Sequence, residues 1–269
     1  MSGIELRWLG QSGFKLHDPS GGALAYLDPY LSAHKGRTWS APIQPADLAK
    51  ADLILCTHEH IDHFDKPAIK AANQVEGAHF QLVLPEPIID QALELGIPRE
   101  RITGAQPGQN LEIAGVQINP VPACHGLNMS DAYSFGKELS GGLIRFLGYV
   151  VGLGGTHIYH AGDTIPYTGQ ANLLQKLHPH LALLPINGRD YFRETERNIV
   201  GNMNPREAVH LAVDINAQAL VPMHWDIFPY NRGFPGDLTA YAEMYAPQLT
   251  LLIFGRGKRF IFQPVAQPE

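Results

Sequence analysis

The chain reads as an α/β protein whose two αβ layers pack sheet to sheet, and three observations predict it. Short apolar runs alternate with helical patterns along the 269 residues. Glycine and proline punctuate them about every ten to twenty residues. Candidate ligand residues fall where apolar runs end, as expected of strands that deliver side chains to one rim. Hydrophobic residues make up 45% of the chain and charged residues 17%, which suits a well-packed core and excludes a disordered polymer.

Residues 4–9, 13–16 and 23–27 carry strand patterns separated by turn residues at 10–12 and 18–22, which predicts a β-meander. Apolar runs at 52–56, 81–84, 116–118, 149–151, 157–159, 181–185 and 219–222 predict buried strands. Helical patterns lie between them at 86–95, 171–177 and 205–213. The last has a clear start: Asn204 as N-cap, Pro205 at the first helical position and Glu207 three residues after the cap. Residues 249–254 and 259–262, joined by Gly255-Arg256-Gly257, predict a closing hairpin. No Gly-, Ser- or Pro-rich linker divides the chain, so one domain over 1–269 is expected.

A net charge of −6 argues against sequence-independent capture of nucleic acid or of an anionic membrane. No run approaches the length of uninterrupted apolar residues that a membrane span needs. Two cysteines, Cys56 and Cys124, form no disulfide framework, and the first ten residues have neither a basic nor a long apolar region. A cytoplasmic protein acting on a small molecule is expected, with homo-oligomerisation left open.

Thirteen histidines are present, and three of them fall between residues 58 and 63. Asp52-Leu53-Ile54-Leu55-Cys56 is an apolar strand that delivers Thr57-His58-Glu59-His60-Ile61-Asp62-His63. Imidazole with carboxylate is the ligand mix of zinc, iron or manganese. His58 and His60, at alternate positions of an extended segment, face one ion, while Asp62 and His63 turn towards a second as a helix begins. A lone histidine is an ordinary hydrogen-bonded residue; this cluster behind a buried strand is not explained that way.

The segment from Thr57 to His63 resembles the signature loop of the metallo-β-lactamase superfamily. That resemblance implies a four-layer αβ/βα sandwich, two mixed sheets face to face with helices outside. It also implies three later ligands, each after an apolar run: His125 in Pro122-Ala123-Cys124-His125-Gly126, Asp163 in Ala161-Gly162-Asp163-Thr164, and His224 in Pro222-Met223-His224-Trp225. On this reading His58, His60 and His125 hold one divalent transition-metal ion, zinc or manganese. Asp62, His63 and His224 hold a second, with Asp163 bridging. His160 competes weakly with Asp163, and Asp28 in Leu27-Asp28-Pro29 resembles an element that supports a ligating histidine. Cys124 reads as a small buried hydrophobe rather than a ligand or nucleophile.

The chemistry implied is hydrolysis, with a metal pair acidifying water and polarising the scissile carbonyl or phosphoryl oxygen, and with Asp62 orienting or deprotonating that water. Flavodiiron-type reductases usually carry glutamate at the position of His60, so redox chemistry is disfavoured. Leu184-Pro185-Ile186-Asn187-Gly188-Arg189-Asp190-Tyr191, with residues 197–203, 205–209 and 221–226, resembles the branch containing the L-ascorbate-6-phosphate lactonases. A lactone of a small, phosphorylated or unphosphorylated, sugar-derived molecule is the implied substrate. Phosphodiester hydrolysis of a small nucleotide or lipid is the alternative, and a non-catalytic metal-binding protein a third.

Arg189, Arg193 and Arg197 recur every four residues and would share one face of a helix, where guanidinium forks suit phosphate or carboxylate. The same pattern also fits a solvated helix paired with Asp190, Glu194 and Glu196. Tyr191 is either a hydrogen-bond donor to an oxyanion or a packing aromatic.

Overall fold

Strands form where the apolar alternation runs. β1 (Ile4–Gly10), β2 (Gly13–His17) and β3 (Leu24–Leu27) make the expected antiparallel meander in the computed structural model, which describes residues 3–126, 142–196 and 200–265. β4 (Leu53–Leu55), β5 (Gln81–Pro85) and β6 (Ile102–Ala105) then add in parallel. In the second sheet β7 (Leu111–Ile113), β8 (Val116–Pro122), β9 (Leu147–Leu153) and β10 (Thr156–His160) are antiparallel neighbours. β11 (Leu181–Pro185), β12 (Ala219–Met223) and β13 (Thr250–Leu251) extend it in parallel.

The predicted hairpin at the end of the chain does not form. β13 closes the second sheet, whereas β14 (Arg259–Phe262) crosses over and pairs antiparallel with β1 at the edge of the first. Gly257, at φ +69°, donates its N–H to the Trp8 carbonyl at 2.7 Å and so hands the chain from one sheet to the other. Both sheets thereby have seven strands, ordered β14-β1-β2-β3-β4-β5-β6 and β7-β8-β9-β10-β11-β12-β13. Position by position the two orders share the same sequence of antiparallel and parallel neighbours, so β1 corresponds to β8, β3 to β10 and β4 to β11.

The side-chain period of two explains the layers. Leu53 and Leu55 of β4 join the core between the sheets, while Ile54 faces outward into a second cluster with Leu82, Leu84, Ile69 and Ala92. α1 (Lys66–Asn73) and α2 (Ile89–Leu93) supply the helical cover there. α5 (Pro205–Asp214) packs on β11 and β12, beside α3 (Gln170–Gln175) and α6 (Pro235–Tyr245). The result is the expected αβ/βα sandwich. The central parallel strands β4, β11 and β12 are buried on both faces, and each fully buried Leu or Ile contributes roughly 1.5–3 kcal/mol.

Helix starts follow their caps. Asn204 and Glu207 form the capping box predicted for α5, with reciprocal bonds of 2.9 and 3.0 Å. The pattern at 86–95 splits into a 3-10 turn over Glu86–Ile88 and the shorter α2. α1, capped by Asp65, starts at Lys66, just after the loop where a helix was expected to begin, while α6 and the short strands β6 and β7 went unpredicted.

Candidate metal centre

The candidate ligands sit in the loops that follow β4, β8, β10 and β12. β4 leads through Cys56 into Thr57, whose N–H and hydroxyl donate to the two oxygens of Asp28 at 2.8 and 2.7 Å. Asp28 follows β3 in the left-handed region, φ +41°, and its Oδ2 also lies 2.6 Å from His63 Nδ1. One buried carboxylate therefore fixes both the start of the loop and the ring that ends it, leaving His63 Nε2 directed inward. His125 is oriented in the same manner, its Nδ1 lying 2.8 Å from the Gly201 carbonyl.

Within this frame the donor atoms converge in three overlapping groups: His58, His60 and His125; His58, His63 and Asp163; and Asp62, His63 and His224. In each group the ligand atoms lie within 4.8 Å of one another. His58 Nε2 is 2.9 Å from His60 Nδ1, and His125 Nε2 is 3.3 Å from the same atom. Asp163 stands between the groups, with Oδ1 3.3 Å from His63 Nε2, and Oδ2 3.4 Å from His125 Nε2 and 3.2 Å from His224 Nε2. All seven expected residues are thus brought together. His160 is turned aside: its Nε2 meets the Ser12 carbonyl at 2.8 Å and its Nδ1 accepts from the Gly162 N–H.

The donors fit a cation. Burial pushes His58, His60 and His125 down, His125 to about 4, so these rings offer neutral lone pairs. Burial acts the same way on His224, but Asp163 and Asp62 outweigh it and push that ring up to about 9. His63 is raised likewise by Asp163, Asp28 and Asp62 against its burial. Asp62 and Asp163 are held well below the usual carboxylate range by these rings, although burial opposes the shift. Two ionised carboxylates at this depth require counter-charge. His63 Nε2 and Asp163 Oδ1 are buried and make no hydrogen bond, which is the mark of atoms shaped for a ligand other than each other.

Sequence reasoning missed the residues that back the ligands. Gln11, after β1, places its amide nitrogen 2.8 Å from Asp62 Oδ2. Its backbone N–H donates to buried Asp226, which in turn pairs with Arg256 at 2.7 Å. Asn202 holds the Thr164 N–H at 3.1 Å and approaches the His224 ring. Gly10 permits the turn: it adopts φ +98°, and a Cβ there would meet the Trp39 ring at 2.3 Å. The available signal was a polar residue following Gly at a strand end, common enough to be uninformative alone.

The centre opens into a cleft of about 260 Å³ bordered by His34, Ile61, Phe228, Tyr230 and a set of asparagines, Asn187, Asn202 and Asn231. Arg189 and Arg193 do not line it. Arg189, outside the helix at φ +55°, pairs with Glu207 at 2.9 Å and with Glu194 at 3.6 Å. α4 (Tyr191–Glu196) buries no residue, Arg193 pairs with Asp190 one turn away, and Tyr191 is 79% exposed. Arg197 lies outside the described residues. Cys124 donates its thiol to the Gly126 carbonyl and packs with Ile165 and Val200, a buried hydrophobe as expected.

Residues 25–225 match the model of the β-lactamase superfamily domain. A Myxococcus xanthus protein named UPF0173 metal-dependent hydrolase is 31% identical over 239 residues, covering 87% of this chain and 75% of its own. A Rubrobacter xylanophilus relative of the same name is 29% identical over 263 residues, 96% of both chains. Among solved structures, the metallo hydrolase Igni18 from the archaeon Ignicoccus hospitalis superposes with a TM-score of 0.71 at 21% identity, covering 97% of this chain and 98% of its own. An isothiocyanate hydrolase from Delia radicum gut bacteria superposes with a TM-score of 0.74 at 18% identity, covering 97% and 100%. Strand order, converging donor groups and kinship agree: this chain belongs to the metallo-β-lactamase superfamily and, within it, to the metal-dependent hydrolases.

Proposed function

We propose that the chain hydrolyses a lactone or related ester of a small molecule at a two-ion centre, and one observation carries the reading. Three overlapping donor groups, joined through Asp163, border a cleft sized for a small substrate. His58, His60 and His125 hold one ion, zinc or manganese, and Asp62, His63 and His224 the other, with Asp163 shared. Bound there, the metal supplies Lewis acidity towards a carbonyl oxygen and acidifies water.

The chain's own residues do the rest. Asp62 borders the cleft and is held by Gln11 and His224, so it orients the attacking water and takes its proton. As the acyl–oxygen bond breaks, the water's hydroxyl stays on the carbonyl carbon and the proton passes to the leaving oxygen. Ile61, Phe228 and Tyr230 form the apolar border, while Asn187, Asn202 and Asn231 offer neutral donors and acceptors.

The resemblance of residues 184–191, 197–203, 205–209 and 221–226 to lactonases supports the ester. Charge is a separate matter. Arginine and lysine are missing from the described lining of the cleft, and Arg189 and Arg193 are paired outside it, so neither of these two arginines supports the anion that their spacing suggested.

The test is a metal-supplemented screen of lactones, phosphodiesters and thioesters with Asp62→Ala as the blank, including one lactone in phosphorylated and unphosphorylated forms. Turnover of the unphosphorylated lactone above the blank is expected. Activity confined to phosphodiesters would replace the reading.

A further inference from the structure

The turn after β1 puts an amide among donors that already converge. Gln11 is 1% exposed, and its side-chain nitrogen lies 2.8 Å from Asp62 Oδ2 and 3.0 Å from His224 Nε2. Both residues belong to the group completed by His63. Its root is immobile: the N–H donates to Asp226 at 2.9 Å, the carbonyl accepts from the His224 N–H at 2.9 Å and the Trp8 indole at 3.0 Å, and φ is +52°.

Rotation of the terminal amide remains. A half-turn exchanges nitrogen for oxygen at the same place, since the two ends differ only in their hydrogen-bonding sense. Nitrogen inward, the amide donates to a carboxylate. Oxygen inward, it aims a lone pair between Asp62 and His224. A cation held by those residues repels the N–H and attracts the carbonyl, so the ion's charge selects the second orientation.

We infer that Gln11 is an additional protein ligand of the second ion, through its amide oxygen; this rests on the reading that Asp62, His63 and His224 hold metal. The fold supports it independently. β1 occupies in the first sheet the place that β8 occupies in the second, and the residue delivered after β8 is His125, a member of the other donor group. The two ions then differ in kind. One is set among three imidazoles and the shared Asp163, and the other gains an oxygen donor beside Asp62 and Asp163, a softer and a harder site respectively, so the second suits manganese better than the first does.

The experiment titrates Mn²⁺, and Zn²⁺ in parallel, into the metal-free full-length protein by calorimetry, with Gln11→Ala and Gln11→Glu beside the wild type. Binding of the first ion reports that each variant is folded. Gln11→Ala should weaken the second Mn²⁺ about tenfold or more while leaving the first unchanged. Gln11→Glu keeps an oxygen at the same reach and adds charge, so it should tighten the second Mn²⁺ relative to wild type. A residue that merely braces Asp62 by donating to it gives the opposite sign, because glutamate there repels the aspartate. Weaker second-ion binding in Gln11→Glu than in Gln11→Ala overturns the inference, and so does a second affinity indifferent to residue 11. A wild type that takes up neither metal overturns the metal centre itself, and the role of Gln11 with it; a wild type with two ions and no response at residue 11 removes Gln11 alone.

Discussion

The loop at 57–63 and the segment at 189–196 are both dense in ionisable side chains, yet the fold treats them in opposite ways. His58, His63 and Asp163 are almost wholly buried and face groups from the other sheet. Arg189 and Arg193 answer carboxylates close by, Glu194 and Asp190 on their own segment and Glu207 at the start of α5. The difference teaches where such clustering becomes chemistry. A loop hung from a buried strand cannot satisfy its polar groups locally and must meet other strand ends. A short exposed helix satisfies its charges with its neighbours and is left with little to offer a ligand.

The sharpest break in that contrast is at Asp163, the carboxylate common to both sides of the centre. Removing one partner from a buried charged set costs roughly 3–5 kcal/mol, or about two to four orders of magnitude in affinity. Asp163→Ala should therefore lose bound metal, read by elemental analysis, together with turnover. Normal metal content in this variant would sink the bridging assignment.

Next in size are His125→Ala and His224→Ala, which separate the two ends of the site. Each ligand lies in a loop beyond its strand, so the far-ultraviolet circular dichroism should stay near that of the wild type. Each variant should lose one ion, retain the other and fall in turnover. If both still hold two ions, the division of ligands is wrong.

Asp28→Ala sharpens the comparison, since Asp28 reaches the centre through Thr57 and His63. Loss of such support typically lowers metal affinity about 10- to 100-fold. Competition with a chelator should show that drop at the ion held by His63 and a smaller change at the other. Equal losses at both would make Asp28 a general structural residue.

The smallest effect is expected in the arginine segment. Arg189→Ala removes a partly exposed ion pair with Glu207, worth about 0.2–1 kcal/mol, and the thermal midpoint should move by only a few degrees. Neither Arg189→Ala nor Arg193→Ala should alter the relative rates on phosphorylated and unphosphorylated lactone. A variant that loses a preference for the phosphorylated form would place the segment in the substrate site after all.

Much of this was legible before folding. Asn204, Pro205 and Glu207 announced α5 because a capping box involves residues three apart. Val-, Leu- and Ile-rich runs announced β4, β11 and β12 because strands buried on both faces cannot alternate. The closing residues misled, since Gly255-Arg256-Gly257 has the composition of a hairpin turn while its flanks pair with β12 and β1, from opposite ends of the chain. The spacing of Arg189 and Arg193 misled for a related reason: four residues imply a shared face only where a helix exists, and α4 begins after Arg189.

By itself the sequence determined the kinds of donor atoms, the strand that carries the first of them and the αβ rhythm, all consequences of neighbours along the chain. Only the tertiary structure decided that Gln11, Asp28, His125, Asp163 and His224 meet at one point. Those residues are separated by up to 213 positions, as between Gln11 and His224, and what joins them is strand order and the packing of one sheet on the other. No local periodicity encodes that choice, because it is made by burying both sheets against each other, and the strand ends are carried along with them.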